Sequence, residues 1–244
     1  MFTHEPDFFR RIAIRVGKIG FIKELLRPVY QKYTSSIEKN RRRLFIKNGV
    51  EVLALFDECI SSLNIPYCLA FGSMLGAVRE HGYIKHDLDL DVAIWSEDYS
   101  DKIRSILFDH GFKLFRNMLV DNGDLGREET YELKGVTIDI FYIYPAIDQY
   151  PYCCDFVPVE GTISIEDSMK KYGRIISRRI QLPWKKEFIR VPFETLQLPI
   201  PVNANEILSF RYGDDYMKPN PLWCYTDANN YITMWNEKVS VLKQ

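Results

Sequence analysis

No stretch of this 244-residue chain approaches the roughly 20 consecutive apolar residues that a membrane-spanning helix needs, so the sequence predicts no span. The N-terminus has no apolar core followed by a small-residue cleavage site, which predicts a protein that is not secreted but cytoplasmic. No Asn-x-Ser/Thr acceptor occurs, in keeping with that expectation. Cysteine is scarce and unpatterned. Cys59, Cys68, Cys153, Cys154 and Cys224 make an odd number with no CxxC spacing, so neither a disulfide framework nor a zinc cluster is indicated. Cys68 falls in an apolar strand pattern and Cys59 in a helical one, where buried reduced thiols are common. There is no internal repeat and no low-complexity linker.

Hydrophobic residues are 46% of the chain and charged residues 27%, which fits a globular protein with a substantial core. The net charge of −1 conceals an asymmetry. Residues 1–50 carry twelve Lys/Arg against four Asp/Glu, and the remainder twenty against twenty-nine. Such a basic arm suits an anionic surface. From Phe8 to Leu26 a helical wheel gathers Phe8, Phe9, Ile12, Val16, Ile19 and Leu26 into one apolar stripe flanked by Arg11, Arg15 and Lys18. Ile14, Phe21 and Leu25 form a second patch. An interfacial helix on an anionic membrane leaflet and a helix packed on the main domain both fit this pattern. The expected division is a basic helical arm over 1–35 and a catalytic domain over 36–244.

His86-Asp87-Leu88-Asp89-Leu90-Asp91-Val92-Ala93-Ile94 alternates strictly, which predicts a β-strand. Leu88, Leu90, Val92 and Ile94 then face a core, and Asp87, Asp89 and Asp91 share the other face. Like charges so crowded raise one another's pKa unless a cation neutralises them. Oxygen-only ligands on a rigid element suit Mg²⁺ or Mn²⁺, and a solvated acidic edge strand is the other reading. Upstream, Tyr67–Phe71 reads as a short buried strand running into Gly72-Ser73 and a helix. Gly72 allows a tight turn, and Ser73 is a good N-cap. A helix end of this kind presents free N–H groups to phosphate. Arg79 reaches either phosphate or a surface carboxylate from that helix. Asp139 interrupts the apolar strand Val136–Phe141, where an unpaired carboxylate would cost several kcal/mol. It must face water, pair with a base, or approach a metal.

The remaining elements are read coarsely. Helices are expected over 36–62, 98–110 and 203–212, and a C-terminal helix over 228–242. Strands are expected over 112–120, 128–134, 136–144, 156–163 and 188–192. The stretch from Pro145 to Pro201 is otherwise loop-rich, and Asp214-Asp215 reads as a turn. The result is one mixed α/β (α+β) domain.

Phe71-Gly72-Ser73 with Asp89-Leu90-Asp91 resembles the signature of the DNA polymerase β-like nucleotidyltransferase superfamily. The longer string FGSMLGAVREHGYIKHDLDLDVAIW, Phe71 to Trp95, is similar to the LicD/fukutin branch. Three further motifs follow in family order: Thr137-Ile138-Asp139-Ile140-Phe141, the run Val191 to Pro201 (VPFETLQLPIP), and Arg211 to Pro219 (RYGDDYMKP). His86 stands where the family often has a bulky residue. Leu88 replaces the middle Asp of the DDDID form, giving the D-x-D-x-D of fukutin-related members.

The resemblance implies a nucleotidyltransferase-type mixed sheet flanked by helices, with N-terminal and C-terminal helical extensions. It implies Asp87, Asp89 and Asp91 as metal ligands, Asp89, Asp91 and Asp139 as catalytic residues, and Gly72, Ser73 and Arg79 as the phosphate-binding set. The implied reaction moves phosphocholine, or a phospho-alditol such as ribitol phosphate, from a CDP-linked donor to a sugar hydroxyl, releasing CMP. The acceptor would be a cell-surface glycan or its lipid-linked precursor, at the inner face of the cytoplasmic membrane. His81, His86 and Arg211 stand as candidates for polyol or phosphate contacts. The aromatic residues Tyr142, Tyr144, Tyr150, Tyr152, Trp223 and Tyr225 could cage a choline cation or simply pack. A nucleotidyltransferase acting on a sugar, antibiotic or RNA would use the same carboxylates. A non-catalytic assembly partner on the same fold is the third class, and nucleic acid is not the expected partner.

Overall fold

The computed structural model describes residues 20–84, 87–162, 164–220, 232–235 and 239–242. It opens with a single helix, α1 (Gly20–Ser62), which runs through residue 35 without a break. The part of the expected arm before residue 20 lies outside the described residues. Strand β1 (Tyr67–Leu69) follows, then α2 (Phe71–Arg79), β2 (Asp89–Trp95), α3 (Asp101–Asp109), β3 (Lys113–Val120), β4 (Gly126–Leu133) and β5 (Val136–Ile143). Beyond these come β6 (Tyr152–Val157), α4 (Ile165–Tyr172), β7 (Ile176–Gln181), β8 (Phe188–Phe193), β9 (Leu196–Pro201), α5 (Ala204–Tyr212), β10 (Ile232–Trp235) and β11 (Val239–Leu242).

The main sheet has six strands in the order β1-β2-β5-β4-β3-β11. Only β2 and β5 run parallel; every other pairing is antiparallel. This is the mixed sheet flanked by helices that the family resemblance implies. A three-stranded sheet, β10-β7-β6, and the hairpin β8-β9 complete the strands. Leu90, Val92 and Ile94 of β2 and Ile138, Ile140 and Tyr142 of β5 point into one continuous core, all essentially inaccessible to water. The alternate residues of both strands face the other way, and that face carries the acids.

On the core side, Glu129 of β4 is almost fully buried. It accepts from Arg104 Nη2 of α3 at 2.7 Å, Arg127 Nη1 at 3.4 Å, Tyr131 Oη at 3.0 Å and Tyr142 Oη at 3.1 Å. The Arg127 guanidinium also lies 3.9 Å over the Tyr99 ring. A buried carboxylate is tolerable when it is paired and hydrogen-bonded in this way.

Three expectations are corrected. The C-terminal helix is absent from the described part of 228–242, where β10 pairs with β7 and β11 with β3. Long-range ladder pairing there outweighs a local pattern that fits a helix. The loop-rich stretch holds more order than its composition suggests: β6 and β7 pair along their length, α4 lies between them, and β9 pairs with β8. The helix after Gly72-Ser73, which the sequence pattern carries to near Gly82, ends as α2 at Arg79, with Glu80 as its cap.

Candidate active site

Strand β1 passes into α2 through one sharp corner. Ala70, not Ser73, holds the N-cap position, and no side chain caps the helix. Phe71 takes φ 41, in the left-handed region that a bulky residue adopts only under strain, and such strain gathers at functional sites. Ser73 instead lies in the first turn, buried, where its Oγ accepts the Asp91 N–H at 2.9 Å. Ala70 N–H donates to the Asp91 carbonyl at 2.9 Å. The corner is thus pinned from both sides to the last residue of the acidic run.

Asp91 is the register partner of Asp139 across the parallel β2–β5 pair, and adjacent strands lie about 4.8 Å apart. The Asp139 side of β5 in turn faces Thr130 of β4, whose hydroxyl donates to Asp139 Oδ1 at 2.5 Å. Gly72 N–H donates to Asp91 Oδ2 at 3.2 Å, so the positive end of α2 already serves an anion of the protein itself. A Cβ at Gly72 would stand 2.8 Å from Asp87 Oδ2 and 3.4 Å from Asp91 Oδ2. Two carboxylates therefore converge on the one residue that leaves them room.

Burial first, then Asp89, Asp139 and Asp87 in that order, raise the Asp91 pKa well above the usual carboxylate range, with Arg211 opposing. Burial also pushes Asp139 up to about 6, against the Thr130 hydrogen bond and with Asp89 adding to it. Glu128, on the same face of β4 as Thr130, is also buried and raised, by burial and then Asp139, with Arg116 opposing.

A cavity of about 840 Å³ opens on this face. Its lining includes Asp87, Asp89 and Asp91 beside Phe71 and Gly72, the basic residues Arg79, Arg178, Arg211 and Lys218, and two further acids, Asp155 and Asp215. Arg178 is held by Asp155 across β6–β7, its Nε donating to Oδ1 at 2.9 Å and its Nη2 to Oδ2. Arg211, in the last turn of α5, lies 4.2 Å over the Phe71 ring. Arg79 donates to Glu80 at 2.8 Å and to the Tyr216 carbonyl at 3.3 Å while lining the cavity. The cavity thus holds carboxylates together with guanidinium and ammonium groups, a lining suited to phosphate.

The structure brings Gly72, Arg79, Asp87, Asp89 and Asp91 to the cavity wall and Asp139 beside Asp91 in the sheet. Ser73 stands behind the wall. His81 is exposed, and His86, Trp223, Tyr225 and Cys224 lie outside the described residues. Tyr142 serves Glu129, Tyr144 stacks on Tyr152 at 5.5 Å, and Tyr150 meets Phe210 edge-on, so these four pack rather than form a cage. The other four cysteines are free and buried. Asp214 accepts from Ser209 in the turn after α5, as the turn reading predicts.

Sequence reading missed Glu128, Thr130, Asp155 and Arg178. The signal for the first two was alternation in Gly126–Leu133, where charges fall on both faces and hide which one is buried.

Among the described residues no three His, Cys, Asp or Glu side chains form a ready-made metal shell. The donor set does fit a hard divalent cation, being all oxygen, crowded and mutually repelling, over a glycine that a Cβ would fill. Asp87, Asp89 and Asp91 are the residues that would hold it.

Carboxylates on adjacent parallel strands, beside a helix start and a cavity that also carries basic side chains, are chemically suited to a phosphate-bearing group. The family model described as LicD/FKTN/FKRP, nucleotidyltransferase domain, matches residues 64–203, and the chain belongs to that family. It is 26% identical over 245 residues to an uncharacterised protein of Rickettsia prowazekii, covering 88% of this chain and 86% of that one. It is 28% identical over 182 residues to the mouse ribitol-5-phosphate transferase fukutin, covering 74% of this chain and 35% of that one. The human fukutin is 23% identical over 181 residues, with shares of 73% and 35%. The chain thus spans about a third of the fukutins' length. At the coarse level, membership and these relatives support a transferase of phosphate-bearing groups. Among the described residues no helix is long and apolar enough to cross a membrane.

Proposed function

We propose that this chain is a metal-dependent phosphotransferase. It moves a phospho-substituent, phosphocholine or a phospho-alditol such as ribitol or glycerol phosphate, from a CDP-linked donor to a sugar hydroxyl of a cell-surface glycan or its lipid-linked precursor. CMP is released. The observation that carries this reading is the Asp91–Asp139 cross-strand pair beside a cavity whose lining includes Asp87, Asp89 and Asp91 together with Arg79, Arg178, Arg211 and Lys218.

A bound Mg²⁺ or Mn²⁺ would supply charge neutralisation at the diphosphate. The chain's own residues do the rest. Arg178 and Arg211, fixed by Asp155 and Phe71, offer guanidinium donors to the nonbridging oxygens, where charge grows in the transition state. Asp139 takes the acceptor hydroxyl proton; its raised proton affinity suits a base working near neutral pH. The acceptor oxygen then bonds to the distal phosphorus, and the bond from that phosphorus to the bridging oxygen of CMP breaks. Thr130 donates to Asp139 Oδ1 and so holds the carboxylate in place. The basic N-terminal segment is proposed to meet an anionic membrane surface, where a lipid-linked acceptor would be presented.

The test is incubation of the full chain with CDP-ribitol, CDP-glycerol or CDP-choline, with and without Mg²⁺, following nucleotide products. Metal-dependent CMP release is expected for at least one donor. A nucleotidylated acceptor would identify a nucleotidyltransferase instead, and no turnover or stabilisation by any CDP conjugate would contradict the reading.

A further inference from the structure

The run Val191–Pro201 stands out in the sequence, yet no step above uses it. It forms the hairpin β8–β9, and at its tip Glu194 takes φ 54. Glycine or asparagine would hold a left-handed turn position at lower cost, so the side chain is what the position retains. Glu194 Oε1 accepts the Tyr83 N–H at 3.2 Å, and the Glu194 N–H donates to the His81 carbonyl at 2.7 Å. One residue thus grips both sides of Gly82.

Gly82 itself has no room to move. A Cβ there would stand 2.2 Å from Glu194 Oε1. Its N–H donates to the Gly76 carbonyl of α2 at 3.3 Å, and a Cβ at Gly76 would stand 2.4 Å from the Gly82 carbonyl oxygen. The Tyr83 ring then packs edge-on between Phe45, at 4.8 Å, and Phe193, at 4.9 Å. Ile84 is buried, and its carbonyl accepts the Asp87 N–H at 3.0 Å. Asp87 is the residue whose Oδ2 stands over Gly72. Every link from the hairpin tip to that carboxylate is a named contact.

We infer that Glu194 is a positioning residue: it fastens the Gly82–Tyr83 loop to the β8–β9 turn and so sets where Asp87 meets Gly72 and Asp91. The inference rests on the reading of Asp87, Asp89 and Asp91 as the grip on a divalent ion. Glu194 is exposed and buries nothing of its own, so its removal acts on the loop more than on global stability.

Two variants of the full chain separate these roles. Glu194→Gly relaxes the backbone while deleting the acceptor; Glu194→Gln keeps an acceptor oxygen in place. Amide hydrogen exchange over 81–87, Mn²⁺ affinity measured with the metal alone, and melting temperature are the three readouts. Glu194→Gly should melt within a few degrees of wild type, while Tyr83 amide exchange rises and Mn²⁺ affinity falls, each up to about tenfold, the worth of one ordinary hydrogen bond. Glu194→Gln should restore both. Unchanged exchange and affinity in Glu194→Gly, or losses that track the melting temperature and are not restored by Gln, would overturn the inference. If wild type turns over no CDP donor, exchange and Mn²⁺ affinity still decide the role of Glu194, because neither requires turnover.

Discussion

Asp91→Asn should reduce metal-dependent donor turnover by about 10³-fold or more, in a protein that melts higher than wild type at neutral pH without metal. The loss follows from position. Asp91 is joined at once to the α2 corner, through Gly72 and Ser73, and to Asp139 in register. Asparagine keeps the shape and still accepts the Gly72 N–H, so the corner survives while a charged oxygen is lost.

The gain in stability has a sign that can be worked out. Burial and three neighbouring carboxylates raise the Asp91 pKa in the folded state. A folded acid that holds its proton more tightly than the unfolded chain loses stability as pH rises from the ordinary carboxylate range through the raised value. Asparagine carries no such penalty. The two proteins should therefore melt alike near pH 4 and diverge toward pH 7. A residual slope from Asp139, raised to about 6, should remain in the variant. Saturating Mg²⁺ should close the gap by stabilising wild type alone. Melting curves across pH, with and without metal, check every part of this.

Glu129→Ala should have the opposite character, costing about 3–5 kcal/mol of stability while leaving the cavity intact. Glu129 stands one residue from Thr130 and one from Glu128, yet on the core face of the sheet. Its removal strands two guanidinium groups and two phenols that now converge on it. Arg104 and Arg127 are themselves mostly buried, with side-chain exposures of 26% and 12%, so water cannot fully replace the lost partner. Denaturant midpoints should fall with an unchanged slope. The fraction still folded should turn over donor at close to the wild-type rate. Two acids on one sheet thus separate stability from chemistry.

Much of this was legible before any fold was known. Asp89 to Ile94 alternates so strictly that its faces assign themselves, and Asp139 is conspicuous in an apolar strand. These are local signals on strongly patterned elements. The alternation overreached at its start: Asp87 and Leu88 lie in the loop before β2, where the Asp87 N–H donates to the Ile84 carbonyl. Ser73 shows the limit. Its place after a strand suggests a cap, but its true partner, the Asp91 N–H, comes from a strand eighteen residues on. Gly126–Leu133 shows another: two adjacent glutamates are buried on opposite faces for different reasons, and no hydrophobic period marks either. Helix α4 did carry a signal, with Ser164 capping Asp167 N–H at 3.1 Å and Gly173 closing at φ 62, but it spans only eight residues. The stretches 232–235 and 239–242 become strands because β7 and β3 offer unpaired edges, which nothing nearby in sequence reveals.

The proposed metal site can be tested directly. Anomalous diffraction from crystals of the full chain grown with Mn²⁺ and CDP would place the ion and the nucleotide together. Density for manganese among Asp87, Asp89 and Asp91, touching the diphosphate with Arg178 or Arg211 on its far side, is the expected result. Manganese and nucleotide bound away from these aspartates, or nucleotide in this cavity with no ion at the carboxylates, would contradict it.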